Sequence, residues 1–73
     1  MKLFLVKRIE DADWDEYQGR VIRAETEERA RQMASESAGD EGRECWISNE
    51  QTICQELSAD GVEEIIISDF HAG

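Results

Sequence analysis

Proline is absent from this sequence, histidine occurs once and cysteine only twice. Without proline, a low-complexity stretch or an internal repeat, nothing marks a linker, and residues 1–73 read as one α+β domain. One histidine and two cysteines fall short of the four closely arranged ligands that structural zinc takes. The five glycines are scattered and form no phosphate-cradling loop. The first apolar run, Leu3 to Val6, is far too short for a signal peptide or a membrane span. A cytoplasmic protein with no membrane contact is expected, with Cys45 and Cys54 as reduced thiols.

Basic residues are also scarce. Eight Lys and Arg stand against eighteen Asp and Glu, a formal charge of −10. A phosphate backbone or an anionic lipid surface repels such a field, so direct nucleic-acid binding is not expected and basic proteins are the natural partners. The imbalance is uneven: from Glu44 onward there are seven acids and no base, whereas the first 43 residues hold all eight bases.

The apolar pattern is what remains to build a fold. Leu3-Phe4-Leu5-Val6 continues through Ile9 as a β-prone run and is expected to be the central strand. Glu10 to Gly19 reads as an acidic connection carrying Trp14 and Tyr17. Arg20 to Ala24 alternates as a second strand, the hairpin partner of the first. Thr26 is suited to cap a helix that has Glu27 and Glu28 in its first turn, with Gly39 placed to stop it in a left-handed conformation. Ala30, Met33, Ala34, Ser37 and Ala38 fall on one helical face, and Arg31, Gln32, Ser35 and Glu36 on the other.

Gly39 to Asn49 reads as a loop or short strand pinned by a buried Trp46. Thr52 to Leu57 alternates as a strand, Asp60-Gly61 offers turn chemistry, and Val62 to Phe70, with Ile65-Ile66-Ile67, is expected to be the fourth strand. The order is ββαββ: a four-stranded, mainly antiparallel sheet with one helix packed on one face.

The constellations favour binding over chemistry. Asp11, Asp13 and Asp15 have the spacing of the first ligands of a calcium loop, but the glycine that loop needs falls on Glu16 and its bidentate Glu falls on Ile22. Cys45 and Cys54 lie in or beside an acidic segment that does nothing to lower a thiol pKa, and Cys54 reads as a small core residue. His71 reads as exposed. Glu63-Glu64 and Asp15-Glu16 lack the burial that would separate two carboxyl pKa values for acid–base work. No enzyme activity, metal or cofactor is therefore expected. Trp14 and Tyr17 have two readings: anchors for a partner, or rings folded back over a small core.

Several segments carry a resemblance. Leu3 to Arg8, Asp11 to Tyr17, Val21 to Arg31 with its Ala24-Glu25-Thr26-Glu27-Glu28-Arg29-Ala30-Arg31 centre, and the tail Ser68-Asp69-Phe70-His71-Ala72-Gly73 resemble a group of small uncharacterised proteins of bacteriophages and bacteria. Those proteins close on a Ser-Phe-Asn-Ala-Gly-like tail, from which Asp69 and His71 depart. Size, acidity and strand–helix–strand order are also similar to phage anti-CRISPR proteins, which inhibit host effector complexes by occupying nucleic-acid sites or blocking assembly. The resemblance implies a phage-type inhibitor acting in the host cytoplasm, with a CRISPR effector as the partner class. Its carboxylates would mimic nucleic acid.

The partner-binding residues expected on this reading are Asp11, Asp13, Trp14, Asp15, Glu16, Tyr17, Glu56, Asp60, Glu63 and Glu64. The alternative is an interaction or structural subunit that pairs through a sheet edge into a homodimer or joins a larger assembly.

Overall fold

A computed structural model describes residues 1–69. Its elements are β1 (Lys2–Arg8), β2 (Gly19–Ala24), α1 (Glu27–Glu36), α2 (Glu44–Ile47) and β3 (Thr52–Leu57). The strands form one sheet in the order β2-β1-β3, with both outer strands antiparallel to β1. The α+β class and the central place of β1 are as expected.

The register sorts the side chains into two faces. Phe4 lies opposite Ile22 and Glu56, and Val6 opposite Arg20 and Cys54, so these residues share the face under the helices. There Phe4, Val6, Ala24, Ala30, Ala34, Cys45 and Trp46 form the core, with Ile22, Ala38 and Cys54 packed against it. Alternation along β1 sends Leu3, Leu5 and Lys7 to the other face, with Val21, Arg23, Ile53, Gln55 and Leu57 beside them. None of these outward strand residues is an acid. No helix among the described residues is long and apolar enough to cross a membrane.

Three expectations require correction. The ββαββ order is not found: the described sheet has three strands, and Val62 to Asp69 form none, while Phe70 of the expected strand lies outside the described residues. A tight type I′ hairpin needs positive φ at both central residues. Among the described residues Asp15 alone, glycines apart, has positive φ, so Asp60 does not make that turn. Second, Gly39 to Asn49 contains not a strand but the short helix α2, closed by Ser48 N–H donating to Glu44 O at 3.0 Å.

Third, α1 is rotated from its expected face. Thr26 caps it, its hydroxyl accepting from Arg29 N–H at 3.2 Å. The buried residues are Ala30, Arg31, Ala34 and Ser35, whereas Met33 and Ser37 are exposed. Arg31 turns inward because the start of β3 and the end of α2 give its guanidinium a set of acceptors: Trp46 O at 3.1 Å, Ser48 O at 3.3 Å, and Thr52 Oγ1 and O at 2.6 and 3.3 Å. Gly39 does not adopt the left-handed stop either. Its lack of a side chain serves close approach, since a Cβ there would sit 2.4 Å from Asp15 O.

Candidate functional site

The connection between β1 and β2 is a built loop. Arg8 N–H donates to Gln18 O at 2.9 Å across its base. Gln18 reaches into the loop: its Oε1 accepts from Ala12 N–H at 2.7 Å, and its Nε2 donates to Glu10 O at 3.2 Å. Glu16 Oε1 accepts from both Arg8 Nη1 and Asp13 N–H, each at 2.8 Å. Asp15 takes φ of 60°, one of the conformations Asp tolerates better than most residues.

A second loop braces the first. Asp40 N–H donates to Asp15 O at 2.9 Å. Glu41 Oε1 accepts from Tyr17 N–H at 3.1 Å and from Gly39 N–H at 3.0 Å. Arg20 then ties the loop to the core: its guanidinium lies 4.4 Å from the centroid of the Tyr17 ring and 5.6 Å from that of Trp46, and it donates to Ala34 O at 2.9 Å near the end of α1. Such stacking contributes at least about 0.5–1 kcal/mol even at exposed sites.

The side chains that these bonds leave outward are Asp11, Asp13, Trp14 and Asp15, all exposed. Trp14 is 89% exposed, the highest value among the described large hydrophobic residues. A large apolar ring in water on a backbone held by several hydrogen bonds does not belong to the core. Tyr17 is divided, half-exposed on one side and covered by Arg20 on the other. Glu16 is a loop brace: hydrogen bonding to Arg8, then to the Asp13 N–H, holds its carboxyl below the usual carboxylate range.

The other expected contact residues lie elsewhere. Glu56 faces the helix side and pairs with Lys2 at 3.5 Å, a half-exposed pair of small energetic weight. Asp60 follows β3 at the end of the sheet opposite the loop, since β3 runs antiparallel to β1. Glu63 and Glu64 precede Ile65–Asp69, which lies back along the outer face beside Lys7, Gln18 and Gly19. Glu56 and Asp60 therefore do not join the loop acids in one continuous stripe. The topology instead brings other acids to the loop: Asp40 through its bond to Asp15, and Glu50, which shares a shallow hollow with Arg8, Ile9 and Glu10. Neither was singled out by spacing, because Asp40 arrives through the α1–α2 connection and Glu50 through the α2–β3 connection.

Among the described residues no three His, Cys, Asp or Glu side chains converge as a metal-ligand cluster. Both thiols are free, and burial pushes each above the usual cysteine range. His71 lies outside the described residues.

Glu16 makes a pH prediction. Its pKa is lowered on folding, so its contribution to stability is fully present above the unfolded-state value and is lost as pH falls through the folded one. Thermal melts of the parent chain and Glu16→Gln should differ most at neutral pH and converge in acid. A gap that persists after the carboxylates are protonated would argue against the Arg8–Glu16 brace.

No family model matches the sequence, and neither a curated protein nor a solved structure matches it.

Proposed function

We propose that this chain is a non-enzymatic binding protein that grips a basic protein surface with its β1–β2 loop. Trp14 is the anchor, and Asp11, Asp13 and Asp15 steer the encounter. The observation that carries this reading is an almost fully exposed tryptophan on a hydrogen-bonded loop ringed by unneutralised carboxylates. Interfaces concentrate energy in a few aromatic anchors, and preformed backbone reduces the ordering cost of binding. Complementary charge mainly raises the association rate and restricts the choice of partner.

The narrower form of the proposal makes the partner a nucleic-acid-binding complex, with a CRISPR effector as the specific case. The loop would occupy a groove built for phosphates, as an anti-CRISPR-like inhibitor does. It rests on the charge of −10 and on the resemblance, and in the folded chain it assigns mimicry to the loop end of the molecule. A tagged chain used to capture partners from host lysate tests both forms. Basic nucleic-acid-binding proteins should be retained at low salt, released as salt rises, and lost with Trp14→Ala. Retention of the same proteins by Trp14→Ala contradicts the proposal.

A second reading, an interaction subunit that self-associates through a sheet edge, is favoured by the open edges of β2 and β3. The two are compatible, since the loop occupies one end of the sheet and the edges its sides.

A further inference from the structure

After β3 the chain crosses the outer face of its own sheet. β3 ends at Leu57, opposite Leu3, and the chain is next held at Gly19, which lies opposite Lys7 on the far strand β2. These two points are diagonal corners of the outer face, so the segment between them passes over Leu5 at its centre. Leu5 is 5% exposed although it takes no part in the core cluster on the helix side. On a bare sheet face its side chain would stand in water, and the crossing segment accounts for its burial.

Packing alone holds the crossing in place. No backbone hydrogen bond ties residues 61–68 to another described residue, so the isoleucines, despite their β propensity, act as side chains laid on a surface. Ile65 is 82% exposed, whereas Ile66 and Ile67 are each more than half covered. A glycine seats Ile67: its Cδ1 lies 3.2 Å from where a Cβ on Gly19 would stand. Next to Gly19 is Gln18, which lines the same hollow as residues 65–69. Gln18 also ties the β1–β2 loop together, its carbonyl accepting from Arg8 N–H and its side chain bonding to Ala12 N–H and Glu10 O.

We infer that residues 65–68 are a strap that clamps the base of the β1–β2 loop through Gly19 and Gln18, so that seating of the strap regulates how fully that loop is preformed. The regulatory meaning rests on the loop being the binding site. With the strap seated, Gln18 stays where its side chain closes the loop, and a partner meets ordered backbone. With the strap lifted, the loop opens at its base while the core under the helices is untouched, a local opening that costs less than global unfolding. Packing without a hydrogen-bonded ladder makes the strap easy to lift.

Hydrogen exchange of the free, full chain, followed by nuclear magnetic resonance, tests the clamp through the amides of Arg8 and Ala12, which both donate to Gln18. Ile67→Ser should speed both by about tenfold, the factor that corresponds to about 1.4 kcal/mol. The amides of Ser48 and Thr52, on the helix side, should keep the parent rate. Ile65→Ser, at the exposed position, should change none of these rates. The near-ultraviolet circular dichroism of buried Trp46 confirms that both variants are folded. Arg8 and Ala12 amides that exchange as in the parent, or a rise shared equally by Ser48 and Thr52, would overturn the inference. No partner enters this measurement, so a parent chain that captures no basic protein would count against the loop proposal and leave the strap standing.

Discussion

Arg31→Ala is expected to destabilise the chain by about 3–5 kcal/mol, because several buried neutral acceptors lose their donor at once. Arg31 is 7% exposed and lies where α1, α2 and β3 meet. Its guanidinium serves Trp46 O, Ser48 O and both oxygens of Thr52, and its Nε donates to Glu27 at 3.0 Å. Truncation leaves acceptors buried without donors, and each costs about 1–3 kcal/mol where water cannot replace the partner. A domain of 73 residues has a total stability of roughly 4–11 kcal/mol, so the variant should be near unfolding at room temperature. Urea denaturation measures this directly. Arg29→Ala, on the exposed side of the same helix, should change stability by less than about 0.5 kcal/mol. A similar small loss for Arg31→Ala would remove the guanidinium from its assigned role.

Trp14→Ala should do the opposite: leave the fold alone and abolish most of the binding. Its ring is almost wholly in water, so urea midpoints of the variant and parent should agree within about 0.5 kcal/mol. Truncating an aromatic anchor at a protein interface costs about 2–4 kcal/mol, which is roughly a 30- to 1000-fold rise in Kd for the captured partner. Neutralising Asp11, Asp13 and Asp15 together should act on a different quantity. The association rate should fall and its salt dependence flatten, while dissociation changes little. Surface plasmon resonance separates the two effects, and a Trp14→Ala chain that binds as tightly as the parent would exclude the ring as anchor.

The sequence made the strongly patterned elements legible. Leu3–Val6 was apolar enough to mark a central strand, Thr26 marked the start of α1, and the alternation of Thr52–Leu57 matched β3. Trp46 was legible as core because few other large apolar residues lie near it in the chain. Other features depended on contacts distant in sequence. An arginine inside a helix reads as a solvent-facing residue, and nothing local shows that carbonyls 15–21 residues onward will draw Arg31 inward. The isoleucines of 65–67 gave a strand signal with no information about an available partner.

The site divides in the same way. Asp11, Asp13, Trp14 and Asp15 could be singled out from composition, and the structure places them outward. Glu16 resembled its acidic neighbours in sequence, but pairing with Arg8, half buried at the end of β1, makes it a brace. Asp40 joins the loop only after α1, and Glu50 only after α2, has turned the chain back. Glu56 and Asp60 are separated from the loop by the length of the sheet, a consequence of strand direction that charge counting does not contain.

The contrast between the two tryptophans gives the most direct test of the loop proposal. Trp46 is fully buried and Trp14 almost fully exposed, so a Trp46→Phe chain reports on Trp14 alone. Acrylamide quenching of that fluorescence should be efficient in the free protein. On saturation with a captured basic partner, emission should shift to the blue and quenching should fall sharply, as the ring enters the partner's surface. A saturated complex in which Trp14 remains as quenchable as in the free chain would contradict the account.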